Sequence, residues 1–280
     1  MKSGKWWDYS WNVAPGCTKV SAECQSCWAL SMAKRLQGMG KRGYEGLVDA
    51  HGNWIGKVNL LEDRLHIPLG LKRPRRIAVN LMGDLFYTNV PDWFIHSVFD
   101  VMERAERHTF MVLTKRPERV VEFMRTKVRS ALQNVWIGTT AGTQRSANER
   151  WNAMAWIAQA GWKTWVSSEP KLEMIDWHGW SFLKRLIVGG ESGPYARPTA
   201  PSWVRADRDW CQDHGVAFWF KSWGEWGPVG KDEGGKMKDE RQYLRHMFRH
   251  PLGEDEMVFR FGRKLAGRVL DEQTWEENYE

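Results

Sequence analysis

The stretch RRIAVNLMGDLF, residues 75–86, decides the fold of this chain. A short apolar run ends there in a glycine and a carboxylate, and the helical pattern PDWFIHSVFDVMERA follows at 91–105. Similar apolar runs, mostly separated by helical patterns, recur as HTFMVLT, NVWIGTT, WKTWVSS, KRLIVGG and VAFWFKSWG. This alternation is typical of parallel βαβ units, and nearly continuous apolar strands indicate a sheet covered on both faces.

The length is consistent with one α/β domain, because α/β barrels of roughly 250 residues form a single core and the chain has 280 residues. The alternation ends near residue 221, and the next segment, GEWGPVGKDEGGKMKDE, is rich in glycine and charge. We therefore expect a barrel-like domain over 1–221, including the N-terminal cysteines, and an appendage over 222–280 packed on it.

Small, hydroxylic or charged residues follow every predicted strand. They are Gly83 and Asp84, Thr114 and Lys115, Thr139 and Thr140, Ser167 to Glu169, Gly189 to Glu191, and Lys221. Because parallel α/β sheets and barrels bind ligands at the carboxyl ends of their strands, we predict that the active site lies at this edge.

Three of the four cysteines, Cys17, Cys24 and Cys27, lie within eleven positions ahead of a predicted helix. In a reducing compartment such a group favours metal binding over disulfides. The spacing allows a zinc site completed by His51, His66 or Cys211, or three ligands of a 4Fe-4S cluster with one open iron. No second ligand pair stands at zinc-finger spacing, and the trio precedes strand ends that converge, so the cluster is favoured.

The composition points toward a polyanionic partner. The net charge is +7, and basic clusters near residues 72–76 and 115–119 suit a phosphate-lined groove, although each cluster also fits a solvated surface. Most of the nineteen tryptophans are expected in the core, and some as platforms for bases.

No apolar run approaches the roughly 20 residues that span a bilayer, and the N-terminus lacks a secretory pattern. We therefore expect no membrane contact and a cytoplasmic location.

The cysteine trio after a short first strand, the MGDLF motif and the serial βα units resemble the radical S-adenosylmethionine (radical SAM) enzymes. The blocks WNVAPGCTKVSAECQSCWA, LTKRPERV, SSEP and GGESGPYARP are similar to a phage-associated radical SAM-like family, over nearly the whole chain. The first cysteine interval is three residues longer than the C-x3-C-x2-C of most radical SAM enzymes. The resemblance implies a partial (β/α)6 TIM-like barrel with a C-terminal appendage, in a phage-encoded protein of the bacterial cytoplasm.

The resemblance also implies roles for single residues. Cys17, Cys24 and Cys27 would ligate the 4Fe-4S cluster, whose open iron would be chelated by S-adenosylmethionine. The cofactor would meet four strand ends: its amino group at Gly83 and Asp84, its carboxylate at Lys115 or Arg116, its ribose or carboxylate end at Ser168 and Glu169, and its adenine or the substrate at Gly190 and Glu191. The Gly190–Glu191 motif also fits a plain tight turn.

Cys211 is a candidate catalytic residue, because a lone thiol can return a hydrogen atom to a product radical, as in the distantly similar spore photoproduct lyases. Its place beside Trp210 on a predicted helix favours a structural role instead.

The implied activity is radical modification or rearrangement of a nucleic-acid-borne substrate. The most specific hypothesis is isomerisation of an amino-acid-modified thymine in phage DNA, with DNA or a modified nucleotide as substrate and a flavodoxin or ferredoxin as reducing partner. Two other classes stay open. One is a zinc-stapled nucleic-acid-binding protein without catalysis, and the other is a cluster-free S-adenosylmethionine-dependent methyltransferase in which Asp84 would hold the ribose.

Overall fold

A computed structural model describes residues 4–126, 130–231, 234–241, 243–249 and 255–278. Seven strands form one sheet in chain order. They are β1 Tyr9–Trp11, β2 Arg76–Val79, β3 Thr109–Thr114, β4 Val135–Thr140, β5 Lys163–Ser168, β6 Arg185–Gly189 and β7 Ala217–Ser222. Every pairing whose register is described is parallel. The predicted α/β class and partial TIM-like barrel are confirmed, and the short β1 ahead of the cysteines makes the seventh strand.

Helices fill most of the connections between these strands. They are α1 Trp28–Gly38, α2 Ile67–Gly70, α3 Asp92–Arg104, α4 Pro117–Thr126, α5 Gln144–Gln159, α6 Pro201–His214 and α7 Arg263–Ala266, with 3-10 turns at Ala22–Cys24 and Glu62–Arg64. The connection from β5 to β6, described throughout, contains no helix, as its sequence predicts.

The long helices form because their apolar residues recur at helical spacing. In α3, Phe94, Ile95, Val98 and Phe99 are buried on one face, which is the pattern of a helix packed on a core. Helix α6 ends at His214 and is capped by Gly215, whose φ of 66° is left-handed. Glycine adopts this conformation at little cost, so the chain can turn directly into β7.

A second sheet lies within the predicted appendage. It contains β8 Gly227–Pro228, β9 Arg245–Phe248 and β10 Glu256–Phe259 in the order β8-β10-β9, and both of its pairings are antiparallel.

The chain divides into two compact units. The N-terminal unit contains Trp7–Thr139 and Arg150–Thr164, and the C-terminal unit contains Met1–Trp6, Thr140–Glu149 and Trp165–Glu280. The predicted boundary after residue 221 lies inside the C-terminal unit, and a separate appendage domain stays a prediction.

Large aromatic side chains fill the cores, as expected for much of the tryptophan content. Trp11 is fully buried in the N-terminal unit. In the C-terminal unit the rings of Trp6 and Trp165 pack edge to face with centroids 4.8 Å apart. Within the part of the chain that the structure describes, no helix has the length and apolarity needed to cross a membrane.

Candidate functional site

The three clustered cysteines lie on the segment between β1 and α1, and all three thiols are free. Just before Cys17, Gly16 forms a parallel bridge with Gly83, and the Gly16 amide donates to the Met82 carbonyl at 3.2 Å. A Cβ on Gly83 would lie 2.4 Å from the Ala14 carbonyl oxygen. Gly83 therefore permits the close approach of the cysteine segment to the end of β2.

Asp84 follows this glycine and is only 4% exposed. Its Oδ1 accepts hydrogen bonds from the Thr114 hydroxyl at 2.7 Å and the Phe86 amide at 3.0 Å. Its Oδ2 accepts from the Lys115 amide at 3.0 Å and from Arg116 Nη1 at 2.9 Å. A carboxylate offers about four such positions, so all of them are occupied. The predicted contact of Asp84 with an amino group stays a prediction, and it requires one of these donors to leave.

Arg116 joins the end of β3 to the cysteine segment. Besides Asp84, its Nη1 lies 3.8 Å from the sulfur of Cys17, and its Nη2 donates to the Thr18 hydroxyl at 3.0 Å. The guanidinium also lies over the ring of Tyr87, 4.7 Å from its centroid. The resemblance offered Arg116 as one of two partners for a ligand carboxylate, and that contact stays a prediction; in the structure its guanidinium already binds Asp84 and Thr18.

Lys115 was the other candidate partner for the ligand carboxylate, and its side chain has different surroundings from that of Arg116. Its ammonium makes no hydrogen bond or ion pair with any residue of the described ranges. This cation therefore remains available to a ligand anion.

Charges next to the cysteines shift their thiol pKa values in opposite directions. Burial alone would raise the pKa of Cys24, but the charge of Lys115 and hydrogen bonds at Ser21 outweigh burial and lower it. Burial and the charge of Asp84 raise the pKa of Cys17 to about 11. Because thiolates are the metal-binding form, Cys24 is the thiol better prepared to ligate.

The donor atoms of the cysteine segment are chemically suited to a metal centre. Thiolates ligate both zinc and iron-sulfur clusters, and three come from one segment with cations beside it. Within the described ranges, however, no three His, Cys, Asp or Glu side chains are grouped closely enough to hold a metal ion. His51 and His66, the other zinc candidates of this unit, are exposed. The donors suit a 4Fe-4S cluster, and holding one requires the thiols to turn toward each other.

In the C-terminal unit, two polar side chains at the end of β5 have unused hydrogen-bonding capacity. Ser168 is 0% exposed, and its hydroxyl has no hydrogen-bond partner in the structure. Glu169 Oε1 is likewise buried and unpartnered, whereas its Oε2 accepts from Lys221 Nζ at 3.0 Å and from the Ser167 hydroxyl at 3.3 Å. Buried polar atoms nearly always have partners, so these two atoms indicate a place for a polar ligand.

The GGE motif after β6 builds a turn. A Cβ on Gly190 would lie 2.0 Å from the Trp223 carbonyl oxygen, so only glycine fits there. The carboxylate of Glu191 is buried and forms an ion pair with Arg197 at 2.5 Å. This is the tight-turn alternative that the sequence left open, and the ligand contacts of Gly190 and Glu191 stay predictions.

Cys211 is completely buried on the inward face of α6. Burial and the charge of Asp207 raise the pKa of its thiol. Its carbonyl accepts a hydrogen bond from the Val216 amide at 2.9 Å, just before β7 begins. Cys211 therefore lies toward the amino end of the strands, whereas Ser168 lies at a carboxyl end. This position fits a structural role, and hydrogen-atom donation by Cys211 stays a prediction.

The sequence did not reveal a buried ion pair two residues beyond Glu169. Lys171 is fully buried with its Nζ 2.6 Å from Asp207 Oδ2, and the indole of Trp177 donates to Asp207 Oδ1 at 2.7 Å. Burial lowers the pKa of Lys171 and raises that of Asp207. No spacing links these positions along the chain, so only the fold brings them together. The pair fastens the segment after β5 to α6.

The fold and the site define an α/β protein with partial-barrel topology and a thiol-rich segment next to the carboxyl ends of its first strands. The chain belongs to the family described as "Protein of unknown function (DUF5131)", whose model matches residues 2–278. A comparison with curated proteins finds no match.

Solved structures of spore photoproduct lyase are similar to the chain at low identity. One variant shares 14% identity with a TM-score of 0.42, over 90% of this chain and 68% of the other. Another, with bound AdoMet and dinucleoside spore photoproduct, shares 13% with a TM-score of 0.41 over the same fractions. The structure complexed with dinucleoside spore photoproduct shares 12%, also with a TM-score of 0.41 and these fractions.

Proposed function

We propose that this chain is a radical SAM enzyme in which Cys17, Cys24 and Cys27 hold a 4Fe-4S cluster. The observation that carries the proposal is that the segment bearing three free thiols is attached, immediately before Cys17, to the carboxyl end of a parallel strand. The Gly16–Gly83 bridge makes that attachment, at the edge where parallel α/β sheets bind ligands.

The surrounding residues supply binding and positioning. The unpaired ammonium of Lys115 suits the carboxylate of S-adenosylmethionine, because a charged donor strengthens such a hydrogen bond. Asp84 and Arg116 position the cysteine segment. When bound, the cluster and S-adenosylmethionine supply reductive cleavage of the sulfonium to methionine and a 5′-deoxyadenosyl radical.

Ser168 and Glu169 are proposed to bind the ribose of the cofactor. The hydroxyl of Ser168 can donate or accept, and Glu169 Oε1 accepts, so together they suit a pair of sugar hydroxyls. The Ser168 hydroxyl and Glu169 Oε1 have no hydrogen-bond partner in the structure, which supports this assignment. Gly190 and Glu191 would then shape the turn next to the adenine or substrate.

For the substrate we propose DNA or a modified nucleotide, with a flavodoxin or ferredoxin supplying the electron. The net charge of +7 supports a polyanionic partner. Isomerisation of an amino-acid-modified thymine in phage DNA is supported by the sequence resemblance alone. An α-carbon between amino and carboxylate groups would stabilise the migrating radical.

The decisive experiment is anaerobic purification followed by iron, sulfide and zinc analysis and visible absorption spectroscopy. We expect an iron-sulfur absorption band that is lost in Cys24→Ser and retained in Cys211→Ala, the matched control at the remaining cysteine. Incubation with S-adenosylmethionine and dithionite should release 5′-deoxyadenosine from the wild type and from the control only.

Two results would contradict the proposal and favour its alternatives. A colourless protein with one zinc per chain would indicate a zinc-stapled binding protein. Methyl transfer that survives Cys24→Ala would indicate a cluster-free methyltransferase.

A further inference from the structure

One side of helix α1 exposes large apolar side chains next to the cysteines. Trp28, Met32 and Met39 are 52%, 38% and 67% exposed. Met39 caps the helix, and its amide donates to the Arg35 carbonyl at 3.0 Å. Because residues three or four positions apart lie on the same side of a helix, Arg35 lies in line with the three apolar residues. These four residues are called here the α1 stripe, which is roughly 16 Å long at 1.5 Å per residue and begins directly after Cys27.

The other side of α1 is packed into the N-terminal unit. Ala29 and Ala33 are buried in a hydrophobic cluster of that unit. Near the end of the helix, Gln37 Oε1 accepts from the Leu47 amide at 2.8 Å, and Gln37 Nε2 donates to the Val48 carbonyl at 2.8 Å. The helix is therefore fixed by its buried side, and the α1 stripe contributes nothing to that packing.

The segment that contains the α1 stripe is positively charged. Residues 28–44 include no Asp or Glu and four basic residues, Lys34, Arg35, Lys41 and Arg42. Arg42 forms an ion pair with Asp63 at 3.3 Å. The side chains of Lys34, Arg35 and Lys41 make no hydrogen bond or ion pair with any residue of the described ranges. The stripe thus combines exposed apolar surface with three cations whose charge no described carboxylate neutralises by direct contact.

The residue types of the α1 stripe favour a protein partner with negative charge. Trp, Met and Arg are enriched in protein–protein interfaces, which bury an apolar centre inside a polar rim. Surfaces that bind nucleic acid are more polar and pair cations with flat stacking rings, whereas two of the three apolar residues here are methionines. A second copy of this chain would bring the same positive charge to the contact, and like charges disfavour association. An acidic protein complements both the apolar surface and the charge.

The position of the α1 stripe indicates a purpose for such a partner. Cys27 is the N-cap residue of α1, and its carbonyl accepts from the Ser31 amide at 3.4 Å. A protein docked on the stripe would therefore lie beside one of the three thiols proposed to hold the cluster. Electron transfer between proteins requires such proximity, and redox partners meet through small, transient interfaces, for which a stripe of this length is sufficient.

We infer that the α1 stripe is the docking surface for an acidic electron-carrier protein. The inference rests on the proposed radical SAM function and specifies where its reducing partner binds. One electron passes from the reduced carrier to the oxidised cluster, so the carrier is oxidised and the cluster is reduced by one electron each, and no bond forms or breaks. Because opposite charges bring the two proteins together, their association weakens as the salt concentration rises.

The test compares Met32→Glu and Arg35→Glu with the control Met257→Glu, which places the same charge at a methionine of β10 that is 45% exposed. Trp28 is kept because it adjoins Cys27. Isothermal titration calorimetry gives the Kd for an oxidised flavodoxin and an oxidised ferredoxin, and stopped-flow absorbance gives the rate of cluster reduction by each reduced carrier and by dithionite. Met32→Glu and Arg35→Glu should raise Kd and slow reduction by the carrier about tenfold, since each puts a carboxylate against an acidic partner. The control should stay within about twofold of wild type, and dithionite, which needs no docking surface, should reduce every variant equally fast.

Several outcomes would overturn the inference. If neither carrier bound the wild type, or both variants kept its affinity, the α1 stripe would not be the docking surface. An equal slowing with dithionite would show that the stripe supports the cluster instead of a partner. Loss of single-stranded DNA binding in both variants, with the Kd for the carriers unchanged, would identify a nucleic-acid surface. A wild type without iron would contradict the proposed function, whereas the carrier titrations need no cluster and would still decide whether the stripe binds an acidic protein.

Discussion

Asp84 and Glu169 are both carboxylates at the carboxyl ends of parallel strands, one in each unit, yet their surroundings differ. Asp84 accepts four hydrogen bonds and fastens Arg116. Glu169 has one oxygen bound to Lys221 and Ser167 and one buried oxygen without a partner, next to the unpartnered hydroxyl of Ser168. The hydrogen-bonding positions of the first carboxylate are all occupied within the protein, whereas one buried oxygen of the second has no partner.

The comparison shows that position on a strand end identifies candidates but does not assign their roles. What distinguishes them is whether the hydrogen-bonding capacity is already used, because an unsatisfied buried polar atom costs about 1–3 kcal/mol unless something binds it. The same criterion separates Lys115, whose ammonium is available, from Arg116, whose guanidinium is engaged.

The largest expected effect is on the stability of Asp84→Asn. Loss of this charge leaves the Arg116 guanidinium, 14% exposed, without its counter-ion, and we expect the free energy of unfolding to fall by about 3 kcal/mol. Glu169→Gln should cost less than about 1 kcal/mol, because its partner Lys221 is partly solvated. Urea unfolding monitored by circular dichroism compares the two variants. Equal losses would show that the two carboxylates do not differ as described.

The variant Ser168→Ala tests the second half of this comparison, the unpartnered hydroxyl next to Glu169. Removing a buried hydroxyl that lacks a partner should leave the free energy of unfolding unchanged or raise it by about 1 kcal/mol. If Ser168 binds the cofactor, the same variant should raise the Kd for S-adenosylmethionine about tenfold, measured by isothermal titration calorimetry. Thr139→Val is the matched control, since it loses a buried hydroxyl that donates to the Thr114 carbonyl at 2.9 Å, and it should be destabilised. If Ser168→Ala were destabilised more than Thr139→Val, the Ser168 hydroxyl would be shown to have a hydrogen-bond partner.

The smallest effect is expected at a third, more exposed carboxylate. Partial burial alone would raise the pKa of Asp271, but hydrogen bonds from Arg208 and Arg205 outweigh it and lower the pKa below the ordinary 3.8. The unfolded chain then takes up the proton first, so the contribution of this group is present above about pH 4 and is lost as the pH falls through the folded-state pKa. The decrease in the free energy of unfolding between pH 6 and pH 3 should be slightly smaller for Asp271→Asn than for wild type. An unchanged pH dependence would mean that the pairing adds nothing.

Much of the fold could be predicted from the sequence, since each strand and helix has its own local periodicity. The six apolar runs became β2 to β7, and the helix predicted after the cysteines is α1. The short β1 has three residues, too few to show a period, and the 222–280 segment has strands of two to four residues. Elements this short are defined by pairing with distant partners, which the local pattern does not contain.

The sequence by itself determined the order of the strands along the chain, the edge where polar side chains collect and the presence of three thiols on one segment, because these follow from residue type and local periodicity. Only the tertiary structure decided which polar groups are already paired. It joined Lys171 to Asp207, occupied both oxygens of Asp84 with hydrogen bonds and left the Ser168 hydroxyl without a partner. The physical reason is that hydrogen-bond satisfaction depends on neighbours tens of residues away, which approach one another only when the chain is folded.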